Sequence, residues 1–267
     1  MDVLKTGSFM QRLTERFSID EKINSVAIGM GGELFVCTDS GLLSFKNGDK
    51  RENVEENYKR LCSAVGIDVD HLVLSHQTHT NNVKVVTRDD CGTGYTKPPF
   101  CDIDGLITAE RGVALVTQYA DCTPLLFCDP VKKVCATSHA GWRGTAAKIG
   151  AVTVEKMVSE FGCRREDIIA AIGPAICKDC YEVDTPVYDA FIKNSVPLRD
   201  VFFPLGDGIH FNLDLKRANL NILLESGIKQ ENIDVADICT CCNSDTLHSH
   251  RATGGKRGNL AAIIELI

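Results

Sequence analysis

Three residues of metal-ligating type stand beside strand-like runs: His79 in Ser75-His-Gln-Thr-His79, Cys122 in Ala120-Asp-Cys-Thr-Pro124, and His139 in His139-Ala-Gly-Trp-Arg-Gly144. Each occupies a strand-end loop flanked by small or turn-forming residues, where functional side chains concentrate. Two imidazoles and one thiolate leave the fourth position of a tetrahedral zinc open, the composition of catalytic rather than structural zinc. The same set describes a trigonal copper site, which also wants a weak axial ligand such as methionine. Met1, Met10, Met30 and Met157 lie away from these motifs, so zinc is the preferred ion. The competing reading is a pair of hydrogen-bonded histidines and a buried thiol. Asp121, next to Cys122, is either a general base or a residue that orders its loop. Arg143 precedes a helix expected over Thr145–Phe161. There it is either an anion ligand helped by free N–H groups and the helix dipole or a surface arginine. Cys122 with His79 or His139 also has the makings of a thiol nucleophile and its base. Cys177-Lys-Asp-Cys180 and Cys239-Thr-Cys241-Cys242 offer two thiol pairs for a structural zinc. They lie much further apart than in a zinc ribbon and the second is irregular, so buried or loop thiols are the preferred reading.

The elements that must position these residues follow from apolar runs and turn signals. Gly112–Gln118, Pro124–Cys128 and Lys133–Ser138 read as strands, the last two joined by the Asp129-Pro130 turn. That pairing brings Cys122 and His139 to the same edge of one sheet. His71–Leu74 is a strand leading into the His79 loop, followed by strands Val83–Thr87 and Ile103–Thr108. Upstream, a short amphipathic helix is expected over Ser8–Phe17, with strands Ile23–Ile28, Glu33–Cys37 and Gly41–Phe45. Glu52–Val65 has helical apolar spacing and Gly66 as its stop. Asp167–Ile172 is a buried strand, Asp184-Thr-Pro186 starts a helix, and Asn212–Ser226 is another helix. Strands Ile233–Ile238 and Leu260–Ile264 bracket a polar loop carrying His248, His250, Arg251 and Arg257. Strands and helices mix without strict alternation, which favours an α+β arrangement. With no repeat and no linker-like segment, one domain over residues 1–267 is expected.

Composition excludes several classes of function. A chain of 267 residues has ample core for one large domain, and 44% hydrophobic with 24% charged residues is ordinary for a soluble globular protein. The net charge of −7 leaves no basic excess to neutralise nucleic-acid phosphates or an anionic membrane. A local cationic pocket for a small anion remains compatible with it. Met1–Asp20 lacks the apolar core of a signal peptide, and no run reaches the roughly eighteen apolar residues of a membrane span. Thirteen cysteines are many, but the number is odd and no secretion signal accompanies them. Reduced thiols in a cytoplasmic protein are therefore expected. Dinucleotide, P-loop and serine-hydrolase signatures are missing.

An ordered series of motifs resembles the laccase-domain family, the multicopper polyphenol oxidoreductases, also named peptidoglycan-editing factors and purine nucleoside phosphorylases. Gln77-Thr-His79 is similar to its Q-x-H, Ala120–Pro124 to its A-D-C-x-P, and His139–Gly144 to its H-A-G-W-R-G. Gly173-Pro174 with Cys180-Tyr-Glu-Val183, and Cys239-Thr-x-Cys242 with Ser249-x-Arg251, resemble later segments. The resemblance spans roughly residues 50 to 267. It implies a single-domain four-layer α/β/β/α sandwich with mixed sheets, and one zinc held by His79, Cys122 and His139 at a purine-nucleoside site. It further implies phosphorolysis of adenosine, inosine, guanosine and methylthioadenosine, with deamination of adenosine. The phosphate cations expected are Arg60, Arg143 and Arg251, with Asp121 as acid or base.

The sequence departs from the pattern at Thr80, where the family has glycine, and at Asn57-Tyr58, where it has an asparagine–arginine pair and Arg60 is the nearby cation. It also departs at Met30-Gly-Gly32, which lacks an arginine, and at Arg257-Gly-Asn259, which replaces T-G-R. A four-copper oxidase needs a cluster of paired histidines. Here seven histidines include a single H-x-H, at His248–His250, so copper and laccase chemistry are disfavoured. The remaining alternatives are a cysteine hydrolase using Cys122 and a non-catalytic envelope or cell-division factor.

Overall fold

The structure, a computed structural model, describes residues 23–28, 34–38 and 50–266. The helix expected over Ser8–Phe17, the strand over Gly41–Phe45 and the Met30-Gly-Gly32 segment lie outside the described residues. In chain order the elements begin with β1 (Ile23–Ile28), β2 (Leu34–Thr38), α1 (Arg51–Val65), β3 (Leu72–Leu74), β4 (Val83–Val85) and β5 (Gly105–Thr108). The central run is β6 (Ala114–Tyr119), β7 (Thr123–Asp129), β8 (Val134–Ala140), α2 (Trp142–Ala146) and α3 (Ile149–Phe161). Then come β9 (Ile169–Ile172), β10 (Glu182–Asp184), α4 (Thr185–Lys193), β11 (Phe202–Pro204), β12 (His210–Leu213) and α5 (Leu215–Glu225). The chain closes with β13 (Ile233–Val235), α6 (His250–Thr253) and β14 (Leu260–Ile264).

Two mixed sheets stack on each other. One has the order β13-β9-β7-β8-β5-β4 and the other β14-β6-β3, while β10-β12-β11 is a small antiparallel sheet and β1-β2 a hairpin. Side chains alternate across a strand, and that alternation builds the layers. In β3, Leu72 and Leu74 pack on Val54, Tyr58, Leu61 and Cys62 of α1, whereas Val73 points between the sheets with Leu106, Leu115 and Leu126. In β7, Leu125 and Phe127 face Ile149, Val154 and Met157 of α3, and Leu126 faces the other sheet. The order of layers is helix, sheet, sheet, helix: the four-layer α/β/β/α sandwich of mixed sheets.

The expected Thr145–Phe161 helix is divided in two. Lys148 adopts a left-handed conformation (φ 55°) between α2 and α3. The carbonyl of Ala147, freed at the break, accepts a hydrogen bond from Asn81 Nδ2 at 2.9 Å. A partner far away in sequence thus satisfies a polar group that would otherwise oppose the kink. Strands β10, β11 and β12 were not expected from the sequence. Each has only three or four residues, too short for a period-two pattern to register.

Candidate metal centre and adjoining cavity

The site lies where the chain passes twice from one sheet to the other. Residues 75–82 carry it from β3 to β4, and residues 120–122 carry it from β6 to β7. The β7–β8 pairing sets Pro124 opposite His139 and Thr123 opposite Ala140, so Cys122 and His139 meet at one sheet edge, as expected. Gln77 fastens the first crossover to the second. Its Nε2 donates to the Gln118 carbonyl at 2.6 Å and its Oε1 accepts from the Gln118 N–H at 2.7 Å. A primary amide can do both at once, copying one rung of a β-ladder.

His79 (φ 67°) and Asp121 (φ 84°) both hold left-handed backbone conformations, costly for residues with a Cβ. Asp104, buried completely, overcomes that cost in the first loop. Its carboxylate accepts the N–H groups of Thr78, His79 and Thr80 at 2.9–3.1 Å and the Thr80 hydroxyl at 2.9 Å. Thr80, which departs from the family's glycine, therefore adds a bond to this nest. Asp104 Oδ1 also lies 2.8 Å from His139 Nδ1. That bond fixes the ring and leaves Nε2 as the ligand atom, the arrangement by which a carboxylate orients a metal-binding histidine.

The ligand atoms of His79, Cys122 and His139 all lie within 4.8 Å of one another, with His79 Nε2 3.9 Å from Cys122 Sγ. Burial opposes ionisation of Cys122, but His139 and His79 outweigh it and bring the thiol down to about 6. Burial likewise disfavours a charged His139, yet the Cys122 thiolate and Asp104 pull its pKa up. Asp104 would be raised by burial too. Its bonds from His139 and from the Thr80 N–H reverse this and hold it at about 2. The result is an anionic carboxylate and an anionic thiolate around two imidazoles, a donor set that fits a divalent cation. Gly141 explains the third residue of H-A-G-W-R-G. A Cβ there would lie 2.8 Å from His79 Cδ2 and 3.0 Å from Cys122 Sγ. At Gly144 a Cβ would press on the carbonyls of Thr80 and His139 at 3.1 and 3.2 Å.

A cavity of about 400 Å³ opens beside the three ligands. Trp142, Ile176 and Tyr181 give it flat or apolar wall, and Arg143, Arg251 and Arg257 give it positive charge. Arg143 belongs to the five-residue α2, not to the start of the long helix, so the expected aid from a long-helix dipole falls away. Its guanidinium lies over the Trp142 ring, 4.2 Å from the centroid. Arg251 lines the cavity while its Nη2 donates to the Glu182 carbonyl at 2.9 Å. Arg60 stands elsewhere, on the outer face of α1, bonded to Glu56 at 3.1 Å. It is not among the residues lining the cavity. Asp121 lines the cavity with both carboxylate oxygens engaged: Oδ1 accepts from Thr240 Oγ1 at 2.6 Å and Oδ2 from the Arg251 N–H at 2.7 Å.

Asp104 and Arg257 are among the site residues that sequence reasoning did not select. An aspartate set between Ile103 and Gly105 at the start of a buried strand is a signal, since an acid there needs partners to be buried. A further correction concerns the cysteines. The thiols of Cys177, Cys180, Cys239 and Cys242, expected to be buried or loop thiols, converge within 4.8 Å of one another.

With this geometry in place, the comparisons with known proteins converge. The family described as "Multi-copper polyphenol oxidoreductase laccase" matches residues 31–267. The chain belongs to that family. The protein named purine nucleoside phosphorylase YlmD from Bacillus subtilis (strain 168) is 36% identical over 219 residues, covering 81% of this chain and 78% of its own. A protein named adenosine deaminase RL5, from an unknown prokaryotic organism, is 32% identical over 213 residues, 79% of this chain and 81% of its own. The crystal structure of the Bacillus licheniformis hypothetical protein YfiH superimposes with a TM-score of 0.82 at 32% identity, covering 88% of this chain and 92% of that one. Family membership and superposition agree with the four-layer architecture. Among the described residues no helix is long and apolar enough to cross a membrane.

Proposed function

We propose that the cavity is a purine-nucleoside site, with a zinc ion at His79, Cys122 and His139, where inorganic phosphate cleaves the glycosidic bond of adenosine, inosine, guanosine or methylthioadenosine. The observation that carries this reading is the junction of a three-ligand set with a cavity walled by an indole, a phenol and three guanidinium groups. Relatives named for phosphorolysis and for adenosine deamination support the same substrate class.

In phosphorolysis a phosphate oxygen bonds to the ribose anomeric carbon as the bond from that carbon to the purine nitrogen breaks. The bonding pair leaves with the purine, which takes up a proton. Arg143, with Arg251 and Arg257 lining the same cavity, balances the charge of the phosphate. Fixed cations of this kind act most strongly where water is excluded. Trp142 and Tyr181 present ring faces to the planar base and ribose. Asp104 holds His139 in one tautomer and His79 in one backbone state. A zinc bound there supplies Lewis acidity toward an oxygen of substrate or water. Adenosine deamination replaces the exocyclic amine by a water oxygen and releases ammonia. We assign the accompanying proton transfer to Asp121, the carboxylate adjoining Cys122.

Cys122, His139 and Asp104 also have the composition of a thiol nucleophile, its base and the orienting acid, and the lowered Cys122 pKa favours that second reading. The seven histidines do not suit a four-copper oxidase: His71 is bonded to Glu265 and His210 to Asp207, outside the cavity. Purified protein incubated with inosine, with and without phosphate, decides the matter. Phosphate-dependent release of hypoxanthine with ribose-1-phosphate supports the proposal. Equal rates without phosphate, giving free ribose, overturn it.

A further inference from the structure

The cavity does not use the second sulfur cluster. Cys177 caps a single helical turn over Lys178–Cys180 and Cys180 ends it, and Cys239 and Cys242 sit in the loop after β13. Cys180 Sγ lies 3.4 Å from Cys242 Sγ, and Cys177 Sγ lies 3.8 Å from it. All four sulfurs fall within 4.8 Å of one another, and none of the four cysteines is in a disulfide. Zinc–sulfur bonds of about 2.3 Å in a tetrahedron place sulfurs roughly 3.8 Å apart. The observed spacings bracket that edge and are far beyond the roughly 2.05 Å of a disulfide. The backbone N–H groups of Cys177 and Cys242 both donate to Cys239 Sγ, at 3.2 and 3.3 Å. Two N–H donors on one sulfur favour its thiolate over its thiol.

We propose that Cys177, Cys180, Cys239 and Cys242 form a second, closed metal site that holds a structural zinc. Four protein ligands leave no position for substrate, and all-thiolate tetrahedra suit zinc or iron over harder or square-planar ions. The ion ties together two loops that also meet through the parallel bridge of Ala175 with Cys239. Those loops form one wall of the cavity. Ile176 and Tyr181, beside Cys177 and Cys180, line it, and Thr240, beside Cys239, bonds Asp121. The site is thus a staple for that wall, whatever reaction the cavity performs.

The test is elemental analysis of the full chain, purified under reducing conditions without chelator. Two zinc ions per chain are expected, falling to one in Cys177→Ser or Cys242→Ser and to one in His79→Ala, with none in the combined variant. Cobalt reconstitution adds a spectroscopic reading. His79→Ala should keep the intense sulfur-to-cobalt charge-transfer absorption of a four-thiolate site, and Cys242→Ser should lose most of it. Should the serine variants fail to fold, mercurial titration of the native protein replaces them: one zinc should leave as four thiols are modified. Three results would overturn the proposal: a cysteine variant with the wild-type metal content, a Cys180–Cys242 disulfide throughout the freshly purified protein, or iron in place of zinc at that stoichiometry. Since the readout is metal content, a chain inactive on nucleosides would leave this result standing.

Discussion

The two sulfur-bearing clusters border the same cavity and solve opposite problems. The His79–Cys122–His139 set is mixed, has one thiol, and stands over the completely buried Asp104, which controls both its loop and its ring orientation. The four-cysteine set is uniform, carries an exposed thiol in Cys242, and receives two backbone N–H groups at Cys239 Sγ. One leaves a side open to a cavity and the other surrounds its centre. The difference teaches that openness is built from outside the ligand shell. A three-ligand site needs a buried acid and glycines at contact distance to keep its geometry without a fourth ligand, whereas four thiolates define a tetrahedron among themselves.

The most severe way to break the open cluster is Cys122→Ala. Loss of a ligand should abolish zinc retention at the triad and lower nucleoside turnover by about 10³-fold or more, since metal polarisation contributes several kcal/mol. Elemental analysis beside a turnover assay checks both, and a variant that keeps its triad metal and its rate would refute the assignment. Asp121→Asn should reduce inosine formation from adenosine by roughly 10²-fold if the carboxylate moves the proton, while metal content stays unchanged. Retained deamination would assign that proton to another group.

Asp104→Asn sharpens the contrast, because it touches one cluster and leaves the other alone. Weakened orientation of His139 should lower zinc affinity at the triad by roughly 10- to 100-fold, read by competition with a chelator, with the four-cysteine site unaffected. The same acid links stability to pH. Its folded pKa of about 2 lies below the usual carboxylate range. Its contribution is therefore present above about pH 4 and is lost as pH falls toward 2. Acid unfolding of metal-free wild type and Asp104→Asn should accordingly differ less at pH 2 than at pH 6.

The smallest expected effect is that of Arg143→Ala, about a tenfold rise in the phosphate concentration needed for half-maximal rate, the scale of one charge-assisted hydrogen bond. The inosine requirement should move less. A shared rise in both would make Arg143 a wall residue rather than a phosphate ligand.

Legibility in the sequence followed locality. The β7–β8 hairpin could be read because its turn carries its own signal: Asp129 Oδ1 accepts from the N–H groups of Val131 and Lys132 within the turn itself. Strand β14 matched its expected bounds, Leu260–Ile264, because every residue in that short run is apolar and buried. The convergence of His79, Cys122 and His139 was legible from their loops and motifs. The break at Lys148 was hidden because its stabilising partner, Asn81, lies in a different crossover. Asp104 was hidden for a similar reason, since its bond to His139 spans 35 positions and obeys no helical or strand period. The convergence of the four thiols was hidden because pair spacing along the chain does not measure distance across a parallel bridge such as Ala175–Cys239.

The Asp121 carboxylate has a dynamic consequence. Its two oxygens grip Thr240 and Arg251, the two ends of a single loop. The segment between them is held at its middle as well, by Cys242 in the thiol cluster and by Leu247 buried between the sheets. Release at Asp121 is therefore local: replacing Asp121 should accelerate solvent exchange of the Arg251 amide, which donates to it, while the Leu247 amide, bonded to the Asn243 carbonyl, keeps its protection.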